Sequence, residues 1–143
     1  MRKNNIDEVV KMSKVCVFTV CNLGYLNKAL ALAESLKKYE DKKLNIFLFD
    51  KKRKLTFNKS NVEIFWIEDI APDNFFQLAF KYNVIELTTA FKPFIGKYLS
   101  NLYENVIFFD PDVLLYDSLS LIHDSLEKDS FLLTPHILKV EYN

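Results

Sequence analysis

The sequence predicts an α/β domain with a mostly parallel sheet of about five strands flanked by helices. Three observations carry this. Short apolar runs rich in β-branched and aromatic residues alternate with segments of helical periodicity. The runs are nearly continuous rather than polar on every second residue, as in strands covered on both faces. Their spacing is that of βαβ units, which build parallel sheets.

The elements follow in order. Residues 1–13 form a polar extension, and the α/β domain is expected over 14–143. Lys14 to Val20 (KVCVFTV) reads as a buried strand, with the turn-prone Asn22-Leu23-Gly24 as its exit. From Tyr25 to Tyr39, Leu26, Ala29, Leu30, Ala33 and Leu36 recur at helical spacing, with Lys28, Glu34, Lys37 and Lys38 on the other side. Leu44 to Phe49 is a second strand ending at Asp50, and Val62 to Ile67 a third, ending at Glu68 and Asp69 before Pro72 opens a short helix. In TTAFKPFIGKYLSNLY, the residues Phe91, Phe94, Ile95, Tyr98, Leu99 and Leu102 form a helical stripe; Pro93 is tolerated near a first turn and disruptive further in. The fourth strand, Asn105 to Phe109, runs into Asp110. Asp117 or Ser118 is expected to cap a helix carrying Leu119, Ile122 and Leu126, and Phe131 to Leu133 reads as a fifth short strand.

Composition bounds the function. Half of the 143 residues are hydrophobic and 27% are charged, the profile of an ordinary globular domain. Lys plus Arg and Asp plus Glu both number 19, so no overall field draws the chain to nucleic acid or to an anionic membrane. The run Lys51-Lys52-Arg53-Lys54 reads as a solvated loop. Cys16 and Cys21 lie five residues apart on one strand, where their side chains face opposite ways, so no disulfide is expected between them. Met1 to Lys14 is too polar for a secretory leader and the apolar runs are too short to span a bilayer, which makes a cytoplasmic, reduced protein the expectation.

In open parallel sheets, ligands sit beyond the carboxyl ends of the strands. That rule selects Thr19 to Asn22, Asp50, Glu68 with Asp69, Asp110 with Asp112, and Thr134 with His136. The chain has only Gly24 and Gly96, so a glycine-rich dinucleotide or phosphate loop is excluded. Asp110 and Asp112 flank Pro111, which keeps the backbone extended or turning, and on an extended chain residues two apart face the same way. Two carboxylates converging at the edge of a sheet suit a hard divalent cation, Mn²⁺ or Mg²⁺, which completes its shell with phosphate oxygens and water. A plain turn is the competing reading of an isolated Asp-Pro-Asp.

The surroundings of the triplet bear on that choice. TTAFKPF followed by a strand and FFDPDVLLYDSL resembles the donor half of nucleotide-sugar-dependent glycosyltransferases of the GT-A fold, a Rossmann-like architecture whose metal-binding signature is an Asp-x-Asp at a strand end. VFTVCNLGYLNKALALAESLKKYE, ending in LNIFLFD, resembles the family's first βαβ unit, which cradles the nucleoside. The resemblance covers about Val15 to His136, strongest over Phe108 to Leu119 and weakest over Lys51 to Tyr82. It implies that Asp110 and Asp112 hold the metal, with Asp112 the direct ligand and Asp110 shared between metal and ribose. It implies that Thr19, Asn22 and Asp50 meet base and ribose, that Lys92 faces the donor, and that His136 faces the sugar. His123, inside an amphipathic helix, reads as a surface or packing residue.

The family continues past the fifth strand into a half that supplies the acceptor site and the catalytic group. The resemblance therefore implies a GT-A fold without its acceptor half and assigns no catalytic residue. Phe131, Leu132, Leu133, Ile137 and Leu138 are then expected to expose an apolar patch, open to a completing chain or to self-association. The alternative is a non-catalytic α/β module that binds a nucleotide or a protein. A receiver-like version would want an acidic pair after the first strand, where Val20-Cys21-Asn22 offers none.

Overall fold

The computed structural model describes residues 15–57, 60–71, 77 and 80–135. Four strands pair in parallel in the order β3-β2-β1-β4: β1 (Val15–Cys21), β2 (Leu44–Leu48), β3 (Val62–Trp66) and β4 (Asn105–Phe108). The helices are α1 (Leu26–Glu40), α2 (Ile67–Ile70), α3 (Val84–Ser100) and α4 (Ser120–Leu126), with a 3₁₀ turn at Leu23–Tyr25 before α1. The expected α/β class with a parallel sheet is the observed one. Among the described residues no helix is long and apolar enough to cross a membrane.

Strand alternation divides the core into two layers. Val17 and Cys21 of β1 join Leu44, Ile46 and Leu48 of β2 beneath Ala29, Leu32, Ala33 and Leu36 of α1. Cys16, Phe18 and Val20 face the other way, with Phe47, Phe49 and Ile67, against Phe91, Ile95 and Leu99 of α3. This second layer is aromatic. Phe65, Phe47, Phe18 and Phe108, one from each strand, form a row across the sheet with successive ring centroids 5.0, 6.0 and 5.2 Å apart. The row ends on β4 at Phe108, which only Phe109 separates from the Asp-Pro-Asp turn.

Several elements differ from the sequence reading. The sheet has four strands among the described residues: Phe131 to Leu133 is irregular and exposed, because three apolar residues make a strand only where a neighbour pairs with them. β3 stops at Trp66, and Ile67 already belongs to α2. The short helix expected after Pro72 begins outside the described residues. α3 starts at Val84, where Asn83 and Glu86 form a reciprocal capping box (each backbone N–H to the other's side chain, both 2.9 Å), so Pro93 falls in the helix interior.

Neither Asp117 nor Ser118 caps α4. The cap position is Leu119, and its N–H donates to Glu40 Oε1 at the carboxyl end of α1. His123 Nε2 lies 3.1 Å from Glu40 Oε2. One carboxylate thus docks α4 onto α1, and His123, expected as a surface or packing residue, is half-buried at that contact. Burial works to raise the Glu40 pKa, but the Leu119 N–H and His123 outweigh it and hold the carboxyl below its usual range. Glu40→Ala is expected to cost about 1–3 kcal/mol in urea unfolding, since it strands a partly buried N–H. A carboxyl with a depressed folded pKa stabilises above its unfolded pKa and loses that contribution as pH falls through the folded value. The ionised carboxylate's share of the gap between wild type and Glu40→Ala should therefore be lost as pH falls through the depressed folded value.

Candidate functional site

The carboxyl ends of β2, β1 and β4 lie side by side because β1 is flanked by the other two. At the end of β1, Asn22 leaves the strand in extended conformation and its Oδ1 accepts the Tyr25 N–H at 3.1 Å, starting the 3₁₀ turn. Asp50 follows β2. Its Oδ2 accepts the Leu23 N–H at 3.1 Å, and the Arg53 guanidinium lies 3.4 Å from Oδ1. One side chain therefore ties the end of β2 to the exit loop of β1.

On the other side of β1, β4 gives way to Asp110. The Val113 N–H donates to the Asp110 carbonyl at 3.2 Å, closing a four-residue turn with Pro111 in second position, where its fixed φ is favourable. The extended geometry considered for Asp-Pro-Asp is thus replaced by a turn, and the argument that both acids face one way does not apply. Asp110 Oδ1 lies 2.8 Å from Lys92 Nζ of α3. Asp112 instead borders an open groove of about 300 Å³ with Val113, Leu114 and, from α1, Lys28 and Ala31. Asp110 and Asp112 are both exposed.

The remaining expected residues are distributed as follows. Thr19 is fully buried, on the β1 face shared with Val17 and Cys21, and its hydroxyl makes no hydrogen bond among the described residues. It lies within the strand rather than at the edge. Glu68 and Asp69 are exposed on α2, Asp69 with Lys52 at 2.8 Å. Thr134 is exposed, and His136 lies outside the described residues. Sequence reasoning did not single out Arg53 or Lys28: the first was one of four basic residues in a loop, the second one of several on a polar helix face. Arg53 meets Asp50 within its own loop, three residues back, whereas Lys28 comes to border Asp112 only through the packing of the turn against α1. Cys16 and Cys21 are buried, and burial pushes both thiols up to about 12, so they stay protonated at neutral pH.

The donor set of the Asp-Pro-Asp turn can be tested against a divalent ion. Among the described residues no three of His, Cys, Asp and Glu gather in one place, so a fully protein-made cage is not on offer. Mg²⁺ and Mn²⁺ do not need one, because they commonly take one or two carboxylates and fill the shell with phosphate oxygens and water. Asp112 offers one exposed carboxylate at the α1 groove, whereas Asp110 turns toward Lys92 of α3, so the two acids would hold one ion together only after Asp110 left that lysine. No family model, curated protein or solved structure matches the chain.

Proposed function

We propose that this chain is a metal-dependent glycosyltransferase, or the donor-binding part of one, that takes a nucleotide diphosphate sugar and passes the sugar to an acceptor. The observation that carries the reading is the sheet order. With β1 between β2 and β4, Asp50 and the Asp110-Pro111-Asp112 turn stand on either side of the β1 exit, at one carboxyl edge. The absence of a glycine-rich phosphate loop from the sequence also supports it, since a diphosphate then needs another cationic partner, and a carboxylate-held divalent ion supplies one.

In this reading Asp112, with Asp110 once it leaves Lys92, would hold Mn²⁺ or Mg²⁺, which when bound would supply Lewis-acid stabilisation of a diphosphate leaving group. The chain's own residues do the positioning. Asp50, held by Leu23 N–H and Arg53, presents a fixed acceptor beside the β1 exit for ribose hydroxyls. Asn22 fixes the course of that exit, and the exposed Tyr25 offers a ring beside it for a base. Lys92 stands next to the turn as a cation for the phosphates.

Calorimetric titration of the chain with uridine and guanosine diphosphate sugars tests the reading. Binding is expected in the presence of Mn²⁺ and should vanish on adding chelator. A ligand at 100 times its dissociation constant should also stabilise the fold by about 2.7 kcal/mol. Binding that ignores chelator would leave the non-catalytic nucleotide-binding module as the better reading, and no binding of either sugar nucleotide would remove both.

A further inference from the structure

The chain on either side of the Asp-Pro-Asp turn is held in two different ways. Upstream it belongs to the sheet: the Phe109 N–H donates to the Phe18 carbonyl at 3.1 Å, backbone to backbone, continuing the pairing of β1 with β4. Downstream it lies on α1 and is tied there by side chains. The Leu115 N–H donates to Ser35 Oγ at 3.0 Å, and that hydroxyl donates to the Leu32 carbonyl at 2.8 Å. The Leu119 N–H is taken by Glu40, which also meets His123. Of the side chains between the turn and α4, Leu115 and Leu119 are buried, whereas Val113, Leu114 and Tyr116 are exposed. α4 adds no fully buried residue; Ile122 and Leu126 pack half-buried and Leu121 points outward.

Segments with few buried apolar contacts open locally, as contiguous units, at free energies well below that of global unfolding. We infer that residues 113–126 form a strap that lifts from α1 as one unit while the sheet stays closed, with Ser35 and Glu40 as its two latches and the Asp-Pro-Asp turn as its hinge. Pro111 fixes its own φ, so the change of direction falls on the residues just after it. The hinge divides the two acids. Asp110 stays with β4 and with Lys92 of α3. Asp112 stands at the root of the strap, where it borders the groove with Val113 and Leu114, opposite Lys28 and Ala31 of α1. Lifting the strap draws these two walls apart, so the width of the groove follows the latches. No bound ion or nucleotide is needed for this motion.

Amide hydrogen exchange of the full chain, read residue by residue over a series of low urea concentrations, tests the strap. In wild type the Leu115, Leu119 and His123 amides are expected to exchange together, about a hundredfold less protected than the β2 amides and with little dependence on urea, because their opening exposes little surface. The Phe109 amide should follow the sheet. Ser35→Ala should speed exchange at Leu119 as well as at Leu115, and Glu40→Ala at Leu115 as well as at Leu119, each by about tenfold. Phe47→Leu, which weakens the opposite core layer, should speed the β2 amides and leave the strap amides at the wild-type rate. Strap amides that match β2 in protection and urea dependence would overturn the inference, and this wild-type measurement stands even where a latch variant does not fold. A latch change that speeds only its own amide would mean two separate frays, and a Phe109 amide exchanging with the strap would move the hinge off the turn; either result would overturn it as well.

Discussion

Asp112→Asn is expected to weaken nucleotide-sugar binding in the presence of Mn²⁺ by about a hundredfold or more, since loss even of groups that merely support a metal ligand costs 10- to 100-fold. The fold should survive the change. Asp112 is exposed on a turn, and Asn is as well suited to a turn as Asp. Removing one of two neighbouring carboxylates also relieves repulsion in the metal-free protein, so the melting temperature should hold or rise slightly. A turn without a ligand predicts no metal dependence to lose. Calorimetry on wild type and variant, paired with thermal melts, separates the cases: equal binding in the two proteins, indifferent to chelator, would eliminate the metal site.

Phe47→Ala should cost about 3–5 kcal/mol, the range for a fully buried phenylalanine. Phe47 is 1% exposed on β2, stacked on Phe65 and edge-on to Phe18. Domains of this kind are stable by roughly 5–15 kcal/mol in total, so the loss would consume much of the margin. Phe47→Leu, which keeps most of the volume, should cost under about 1.5 kcal/mol. Urea unfolding of both variants measures the difference. A loss below about 1 kcal/mol for Phe47→Ala would mean that the aromatic layer is not packed to native density.

The parts of the fold legible in the sequence are those set by local pattern. KVCVFTV, LNIFLF, VEIFWI and NVIFF are each apolar enough to be strands buried on both faces, and the stripe on α1 is visible at helical spacing. Errors arose where a distant partner decides. Phe131 to Leu133 has the local character of a strand, but pairing is non-local and no strand joins it among the described residues. The start of α4 is fixed by Glu40 on α1 rather than by Asp117 or Ser118, which no local cap rule could reveal. At the candidate site, the edge rule for parallel sheets picked out Asp50, Asp110 and Asp112, and the sheet order brings their strands together. It overreached at Thr19, which strand alternation alone would have put on the same face as Val17 and Cys21, inside the core. The Asp-Pro-Asp geometry was open because Pro111 suits an extended chain and a turn alike, and only the Val113 to Asp110 hydrogen bond distinguishes them.

The position of β1 at the centre of the sheet has a consequence for how the chain can fold as it is made. β1 precedes the other three strands in the chain; β2 emerges soon after and pairs along one of its sides, and β3 then pairs onto β2. Its other side waits for residues 105–108, after two intervening strands and α3 have been completed. Contacts of such sequence separation carry a high loop-closure entropy and make folding slow, as in other parallel sheets. For that interval the most apolar strand presents a row of unsatisfied backbone groups, the feature that invites wrong pairing between chains. Pairing of β4 covers that side of β1, and it is the same event that carries Asp110 and Asp112 to the edge beside Asp50. Assembly of the site and removal of the aggregation hazard are therefore one step.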